Sequence, residues 1–344
     1  MRVAISTSGG DAPGLNAVIR GATSTALRFG YSVVGIRNGF DGLLRDHRVV
    51  PLSTDVVDGI ERQGGTILGA ISRGNPWEGF EDGPAALKRA MDRQRIDALV
   101  LAGGDGSLAI AAELVKYDIR VVVVPKTIDL DVGGTYRTFG FESAVNFATE
   151  AMDRLHTTAA SHDRLMIVEV MGRDVGWLGL YAGVAGGAHM IAIPEIPYDV
   201  EKFAEHMRRR EEGGERYHIL VCSEGARPVS GVRYLSERTG RYSGVGEALA
   251  EELSDLTGKD ARAISLGHLL RGGAPSGFDR ILGMGFGSAA VVALHDGLSN
   301  VMISFRPPHL IPVSIEEAAG RQHRVDPDSH EMQTARNLGI CFGD

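Results

Sequence analysis

The chain is predicted to fold as an α/β protein of two lobes, each built on a mostly parallel sheet. Three observations carry this. Short β-branched apolar runs alternate with segments of helical periodicity along the 344-residue chain. The runs are continuously apolar, as in strands covered by helices on both faces. The glycines, 46 in all, gather just after those runs, at Gly9-Gly10, Gly64-Gly65, Gly103-Gly104, Gly133-Gly134, Gly186-Gly187 and Gly272-Gly273. In parallel sheets that edge is where ligands bind.

In chain order, VAIS at 3–6 reads as the first buried strand, and 16–28 as a helix whose first turn suits Pro13. SVVGI at 32–36 is β-branched, and 84–93 is helical with proline at its start. ALVL at 98–101 and RVVVV at 120–124 are the most continuous strands, with a helix expected at 107–117 between them. Then follow helix 143–158, strand 165–169, helix 175–185, strand 190–193, helix 200–212, strand 218–222, helix 246–256 and strand 261–266. No repeat of fixed period and no Pro/Ser-rich linker interrupts the pattern.

Composition narrows the function classes. Hydrophobic residues make up 43% and charged residues 23%, the balance of a globular chain. A net charge of −8 argues against a general nucleic-acid or anionic-membrane binder. Two cysteines, Cys222 and Cys341, make no disulfide scaffold, and no Cys/His spacing suits a metal. MRVAISTSGG lacks a signal-peptide layout and no stretch approaches a transmembrane helix, so a cytoplasmic protein is expected.

Several motifs follow the strands. VAISTSGGDAPGLN at 3–16 is strand, glycine pair and helix start, which suits either a phosphate cradle or a plain turn. ALVLAGGDGS at 98–107 adds Asp105; its glycines let backbone approach a polyphosphate, and a carboxylate there can hold magnesium. In PKTIDLD at 125–131, Asp129 and Asp131 offer a general base and a helper, Thr127 a hydroxyl and Lys126 a cation. Arg173, in MGR after a strand, suits charge stabilisation or a surface ion pair. Arg164, Arg262, His268 and Arg271 are candidates for a phosphate ester, and Glu224 for sugar hydroxyls. His156, His162 and His189 match no metal pattern and are expected to be structural or exposed.

Together these segments resemble the 6-phosphofructokinase family. TSGGDAPGLN, GGTILG, GGDGS, PKTIDLD, FGFESAV, DRLHTTAASHDR, VEVMGR, IPE, SEGA and LGHLLRGGAPSGFDR occur in order from residue 6 to about 280. The resemblance implies a two-lobed fold with the active site in the cleft between the lobes. It implies transfer of a phosphoryl group from ATP, with Mg2+, to the 1-hydroxyl of fructose 6-phosphate. Residues 1–140 plus about 257–305 would form the donor lobe, and 141–256 plus about 306–344 the sugar-phosphate lobe. Asp129 would be the base, assisted by Asp131 and Thr127, with Arg173 stabilising the transition state. Gly10, Gly104, Asp105, Gly106, Ser107 and Lys126 would meet donor phosphates and metal, with Arg73 nearby in a run one residue longer than usual. Met171, Gly172 and Glu224 would hold the sugar. Arg164, Arg262, His268 and Arg271 would hold its 6-phosphate, with Arg164 and Arg262 reaching a neighbouring subunit of a homodimer or homotetramer.

The resemblance divides over the donor. Gly106 stands where pyrophosphate users carry Asp, and leaves room for a nucleotide; Lys126 is the residue of pyrophosphate users. An Asp at 106 would exclude ATP, whereas a Lys at 126 excludes nothing, so ATP is favoured over pyrophosphate. Leu130 replaces the usual Asn of TIDND. Arg20 is present on the first helix but Ser24 takes the place of a second arginine, which argues against regulation by ADP or phosphoenolpyruvate. A dinucleotide-binding oxidoreductase would need GxGxxG, which SGGDAPG is not. A non-catalytic homologue would lose Asp105, Asp129 or Arg173, and an NAD kinase would share only GGDG.

Overall fold

The computed structural model describes residues 1–45, 49–71, 76–235, 242 and 244–344. The chain runs β1 (Arg2–Thr7), α1 (Leu15–Arg28), β2 (Ser32–Ile36), α2 (Asp41–Leu44), β3 (Val49–Leu52), α3 (Thr54–Val57), α4 (Pro84–Arg93), β4 (Ala98–Gly103), α5 (Asp105–Val115), β5 (Val121–Thr127) and β6 (Phe139–Gly140). It continues through α6 (Phe141–His162), β7 (Leu165–Val170), α7 (Trp177–Ala185), β8 (Met190–Ala192), α8 (Val200–Glu212), β9 (His218–Ser223), α9 (Val245–Thr257) and β10 (Ala261–Ser265). Last come α10 (Gly277–His295), β11 (Val301–Arg306), β12 (His309–Ser314), α11 (Ile315–Ala318) and α12 (His330–Asn337).

Contacts divide these elements into two compact units. The first comprises Met1–Ile128, Val132–Ser143 and Arg271–His323; the second Asp129–Asp131, Ala144–Leu270 and Arg324–Asp344. The borders differ from the sequence expectation: Asp129–Asp131 falls in the second unit, and residues 141–143 in the first. Residues 257–270 belong to the second unit because β10 pairs with β7, and 306–323 to the first because β12 pairs with β11.

The sheet of the first unit has the order β12-β11-β5-β4-β1-β2-β3, with β6 beside β5. Its interior pairs are parallel, and only β2–β3 and β11–β12 are antiparallel. The order reverses between β1 and β4, a topological switch point whose carboxyl edge is a natural ligand site. Alternate residues face opposite sides. Val3, Ile5, Val100, Val122 and Val124 share one core with α1 and α10. Ala4, Leu99, Leu101, Val121 and Val123 share the other with α4 and α5.

Helix α10 corrects one expectation. It has 19 residues and is apolar enough, by length and composition, to cross a membrane. Half of that stretch is buried, and it lies against α1. The contact is close: a Cβ on Gly21 would sit 2.2 Å from the Met284 carbonyl oxygen, and one on Gly287 2.2 Å from that of Val18. Gly283, Gly285 and Gly287 weaken intrinsic helix propensity, which hid α10 from periodicity, while Gly283 and Gly287 serve this approach. The strands β3 and β12 escaped notice because Pro51 and Pro312 interrupt them, and both lie at sheet edges where proline is tolerated.

The second unit holds a four-stranded sheet, β10-β7-β9-β8, parallel throughout. Its C-terminal segment lies beside β8, where Cys341 exchanges backbone hydrogen bonds with His189 and Ile191. His156, His189 and Tyr217 form an edge-to-face cluster, and His156 bonds the Gly186 carbonyl at 2.7 Å. The His189 Nδ1 accepts the Ile219 N–H at 3.0 Å. Burial pushes His189 down to about 3. Burial also holds His218 down at about 4, outweighing Glu211 at 3.2 Å.

Both rings are neutral in the fold and return towards the ordinary 6.5 on unfolding, so between these values the unfolded chain binds more protons. Stability is therefore fully present above about 6.5 and is lost as pH falls towards the folded values. The melting midpoint is expected to drop between pH 6.5 and 4, and less steeply in His218→Gln. The same slope in that variant would contradict the assignment.

Candidate active site

The first unit brings three strand ends together. β4 lies between β1 and β5 in parallel, so the turns after all three leave one edge. After β1, Gly9 takes φ +79°, and Gly9 N–H reaches the Ile71 carbonyl. After β4, α5 starts at Asp105, two residues earlier than expected, with Gly104 before it. The N–H groups of Ser107 and Leu108 turn back to the Gly104 carbonyl, at 2.9 and 3.0 Å. Asp105 and Gly106 thus occupy the first turn, where helix amides favour anions. A Cβ on Gly106 would meet nothing within 4 Å. Ser107 is buried and folds back against Gly103.

Lys126 departs most from expectation. β5 extends through Thr127, so Lys126 lies within a strand and is only 4% exposed. Its Nζ donates to the Gly10 carbonyl at 2.6 Å. On the same turn, Arg271 Nη1 donates to the Asp11 carbonyl at 3.1 Å and occupies the space a Gly10 side chain would need. Arg271 therefore stands in the first unit on the Gly10–Asp11 turn, whereas Arg164 and Arg262 belong to the second. Thr127 is buried, and its carbonyl accepts the Thr138 hydroxyl at 2.9 Å.

A network that the sequence reading missed fixes the loop carrying Arg271. The Asp279 carboxylate accepts Ser143 N–H at 2.8 Å and Ser143 Oγ–H at 2.6 Å. Ser276 N–H donates to Ser143 Oγ, and the Ser276 hydroxyl caps α10. Burial pushes the Asp279 carboxyl up. Its signal was the serine that ends FGFES and the serine and aspartate of GGAPSGFD.

In the second unit, Met171, Gly172 and Arg173 leave the carboxyl end of β7, and Glu224 that of β9. The Glu224 N–H reaches the Val170 carbonyl at 2.8 Å, and Gly225 N–H that of Gly172 at 3.1 Å. Gly172 has φ +139°, and a Cβ on Gly225 would lie 1.9 Å from the Arg173 carbonyl oxygen. Arg173 is exposed, with its guanidinium 5.5 Å from the Tyr242 ring centre. His268 is exposed on the short 3₁₀ turn Gly267–Arg271 after β10.

Arg164 and Arg262 are not with them. Arg164 precedes β7 and Arg262 is the second residue of β10, so both lie at the amino edge of the sheet. There they grip one carboxylate: Arg164 Nε meets Asp260 at 2.6 Å and Arg262 Nη1 meets its other oxygen at 2.5 Å. The length of β7 separates Arg164 from Met171 by roughly 20 Å, at about 3.3 Å per residue. Arg73 lies outside the described residues. Arg20 is engaged by Glu61 and Asp58. Among the described residues no cluster of three His, Cys, Asp or Glu could hold a metal.

Two carboxylates of the second unit were also missed. Glu195 Oε1 accepts Gly176 N–H at 3.1 Å and Val325 N–H at 3.0 Å, tying the start of α7 to the C-terminal segment. Glu169 is buried on β7; Oε2 accepts Gly246 N–H at 2.9 Å and Oε1 the Ser265 hydroxyl at 3.2 Å. It joins the strand that carries Met171 to the strand that leads to His268.

A sequence model of the family described as phosphofructokinase matches residues 2–294. ATP-dependent 6-phosphofructokinase of Chloroflexus aggregans is 46% identical, over 100% of this chain and 98% of that protein. Pyrophosphate--fructose 6-phosphate 1-phosphotransferase of Amycolatopsis methanolica is 45% identical, over 96% and 98%. The crystal structure of Pichia pastoris phosphofructokinase in the T-state matches with TM-score 0.82 at 32% identity; it covers 92% of this chain, which spans 35% of that one.

Removing Glu169 leaves the buried Gly246 N–H without its acceptor, a loss of about 1–3 kcal/mol. Glu169→Ala is expected to melt lower by that amount and to raise the KM for the sugar-phosphate acceptor. Glu169→Gln, which still accepts from Gly246 and donates to Ser265, is expected to restore both. A KM unmoved in Glu169→Ala would make Glu169 purely structural.

Proposed function

The chain belongs to the phosphofructokinase family, and from that premise we propose that it transfers the γ-phosphoryl group of ATP to the 1-hydroxyl of fructose 6-phosphate, giving fructose 1,6-bisphosphate. The observation that carries this reading is the convergence of the Ser8–Asp11, Gly104–Ser107 and Lys126–Thr127 segments at one edge of three adjoining strands, with Asp129 two residues beyond the last.

Asp129 takes the proton from the 1-hydroxyl as its oxygen attacks the γ-phosphorus, and the bond to the leaving ADP oxygen breaks. Thr127 and Asp131 assist, and Arg173 balances charge on the transferring group. Gly10, Gly104, Gly106, Ser107 and Arg73 meet the donor phosphates. Asp105 would hold magnesium with phosphate oxygens and water, a shell of one carboxylate that suits this ion better than zinc. When bound, the metal neutralises phosphate charge. Met171, Gly172 and Glu224 hold the sugar, and His268 its 6-phosphate.

Arg271 is proposed to complete the 6-phosphate contacts from its seat on the Asp11 carbonyl. Arg164 and Arg262 are proposed to reach the 6-phosphate in a second copy of the chain. Their position at the opposite edge of the sheet from His268 supports this. The assembly is then a homodimer or homotetramer in the cytoplasm, with shared sites.

Pyrophosphate is the second reading, favoured by the buried ammonium of Lys126. That ammonium also hydrogen-bonds the Gly10 carbonyl, which gives it a role in the turn with either donor. The open space at Gly106 admits a nucleotide.

Asp129→Asn is expected to lower kcat by about 10²–10⁴-fold with an unchanged melting midpoint. Arg262→Ala is expected to be inactive through loss of acceptor affinity. Subunits of the two variants, dissociated and reassembled together, should recover activity, because a hybrid site has both residues intact. Wild-type turnover in Asp129→Asn would remove the base assignment, and no recovery on mixing would remove the shared site.

A further inference from the structure

The residue between the two aspartates adopts a backbone conformation that its type avoids. Leu130 has φ +58°. The other described non-glycine residues with positive φ are Asn38, Asp118, Asp163, Asn300 and the exposed Arg95. Asparagine and aspartate tolerate the left-handed region because their short polar side chains bond locally. Leucine has no such compensation, and such outliers persist only where the surroundings over-determine them.

Here the surroundings bury the side chain completely. Leu130 is fully buried, as are Ile128 and Val132, while Asp129 and Asp131 are half-buried between them. The φ angle of Leu130 sets the direction of everything before it against everything after it. Turning it to the extended region near −120° rotates Asp129 against Asp131 by about half a turn. The Oδ1 atom of Asp131 is buried and takes no hydrogen bond from the described residues. That oxygen is therefore held in place by the backbone and not by a partner among the described residues.

We infer that Leu130 is a positioning residue of the phosphoryl transfer: its buried side chain holds the loop in a left-handed turn that aims Asp129 and Asp131. The inference rests on the reading of Asp129 as the base. It separates two properties of one residue. The carboxylates depend on the left-handed backbone, and stability depends on the buried side chain.

The variants are chosen to split these. Leu130→Val keeps an apolar side chain but is β-branched, which disfavours positive φ strongly. It is expected to lower kcat about 10²-fold, with the KM for ATP unchanged and only a modest fall in melting midpoint. Leu130→Asn tolerates the turn but buries an amide. It is expected to keep kcat within a few-fold of wild type while melting well below Leu130→Val. Leu130→Gly, which enters the left-handed region at no steric cost, makes the same separation should the asparagine variant fold poorly.

If kcat follows the melting midpoint across the three variants, Leu130 acts through packing alone and the inference falls. Asp129→Asn, assayed alongside, separates the two readings. A nearly inactive Asp129→Asn with a fully active Leu130→Val overturns the role of Leu130 and leaves the base standing. Activity in Asp129→Asn overturns the base, and with it the inference.

Discussion

A buried ammonium must be met by hydrogen-bond acceptors, since desolvating a charge without them is among the largest penalties a fold can carry. Lys126 meets this demand through the Gly10 carbonyl, and much of the first unit follows from it. The contact spans from β5 to the turn after β1, across β4. It requires Gly9 and Gly10 to approach closely, with Gly9 in the left-handed region and Gly10 leaving space for Arg271. It also requires β5 to remain a strand as far as Thr127, which brings the chain directly to Asp129. The turn proposed to meet phosphates and the strand that leads to the proposed base are thus tied together by one side chain.

The parallel sheets were legible because their strands are buried on both faces and so read as unbroken apolar runs. RVVVV and LMIVE announced β5 and β7 without ambiguity. Edge strands were not legible, because β3 and β12 carry proline and have one side unpaired. Helix α10 was hidden by the glycines that let it approach α1. The motif residues after strands, from Gly10 to Glu224, could be found because glycines and acids are conspicuous after apolar runs. Glu169, Asp279 and Glu195 could not, since their role depends on which distant N–H groups the fold presents to them. Lys126 shows the same limit: its sequence neighbours fit a surface lysine, and only the pairing of β4 with β1 and β5 turns it inward.

The direction of the strands also sorts the cations. Parallel strands deliver their carboxyl ends to one edge, so Arg173 and His268 lie together at one end of the second sheet, and Arg164 and Arg262 at the other. Within one chain the length of β7 keeps these groups apart. The shared carboxylate of Asp260 holds the two arginines side by side.

The donor is the point at which sequence and structure bear most directly on function. Gly106 leaves open space at the first turn of α5, and the Lys126 ammonium donates to the Gly10 carbonyl. Relatives named as ATP-dependent at 41–47% identity support ATP, although one named for pyrophosphate is 45% identical. The decisive measurement is the initial rate with fructose 6-phosphate and magnesium, ATP against pyrophosphate. Turnover with ATP and little with pyrophosphate is the expected result. Turnover with pyrophosphate alone would contradict the account, and would make Lys126 a ligand of the donor rather than a support of the turn.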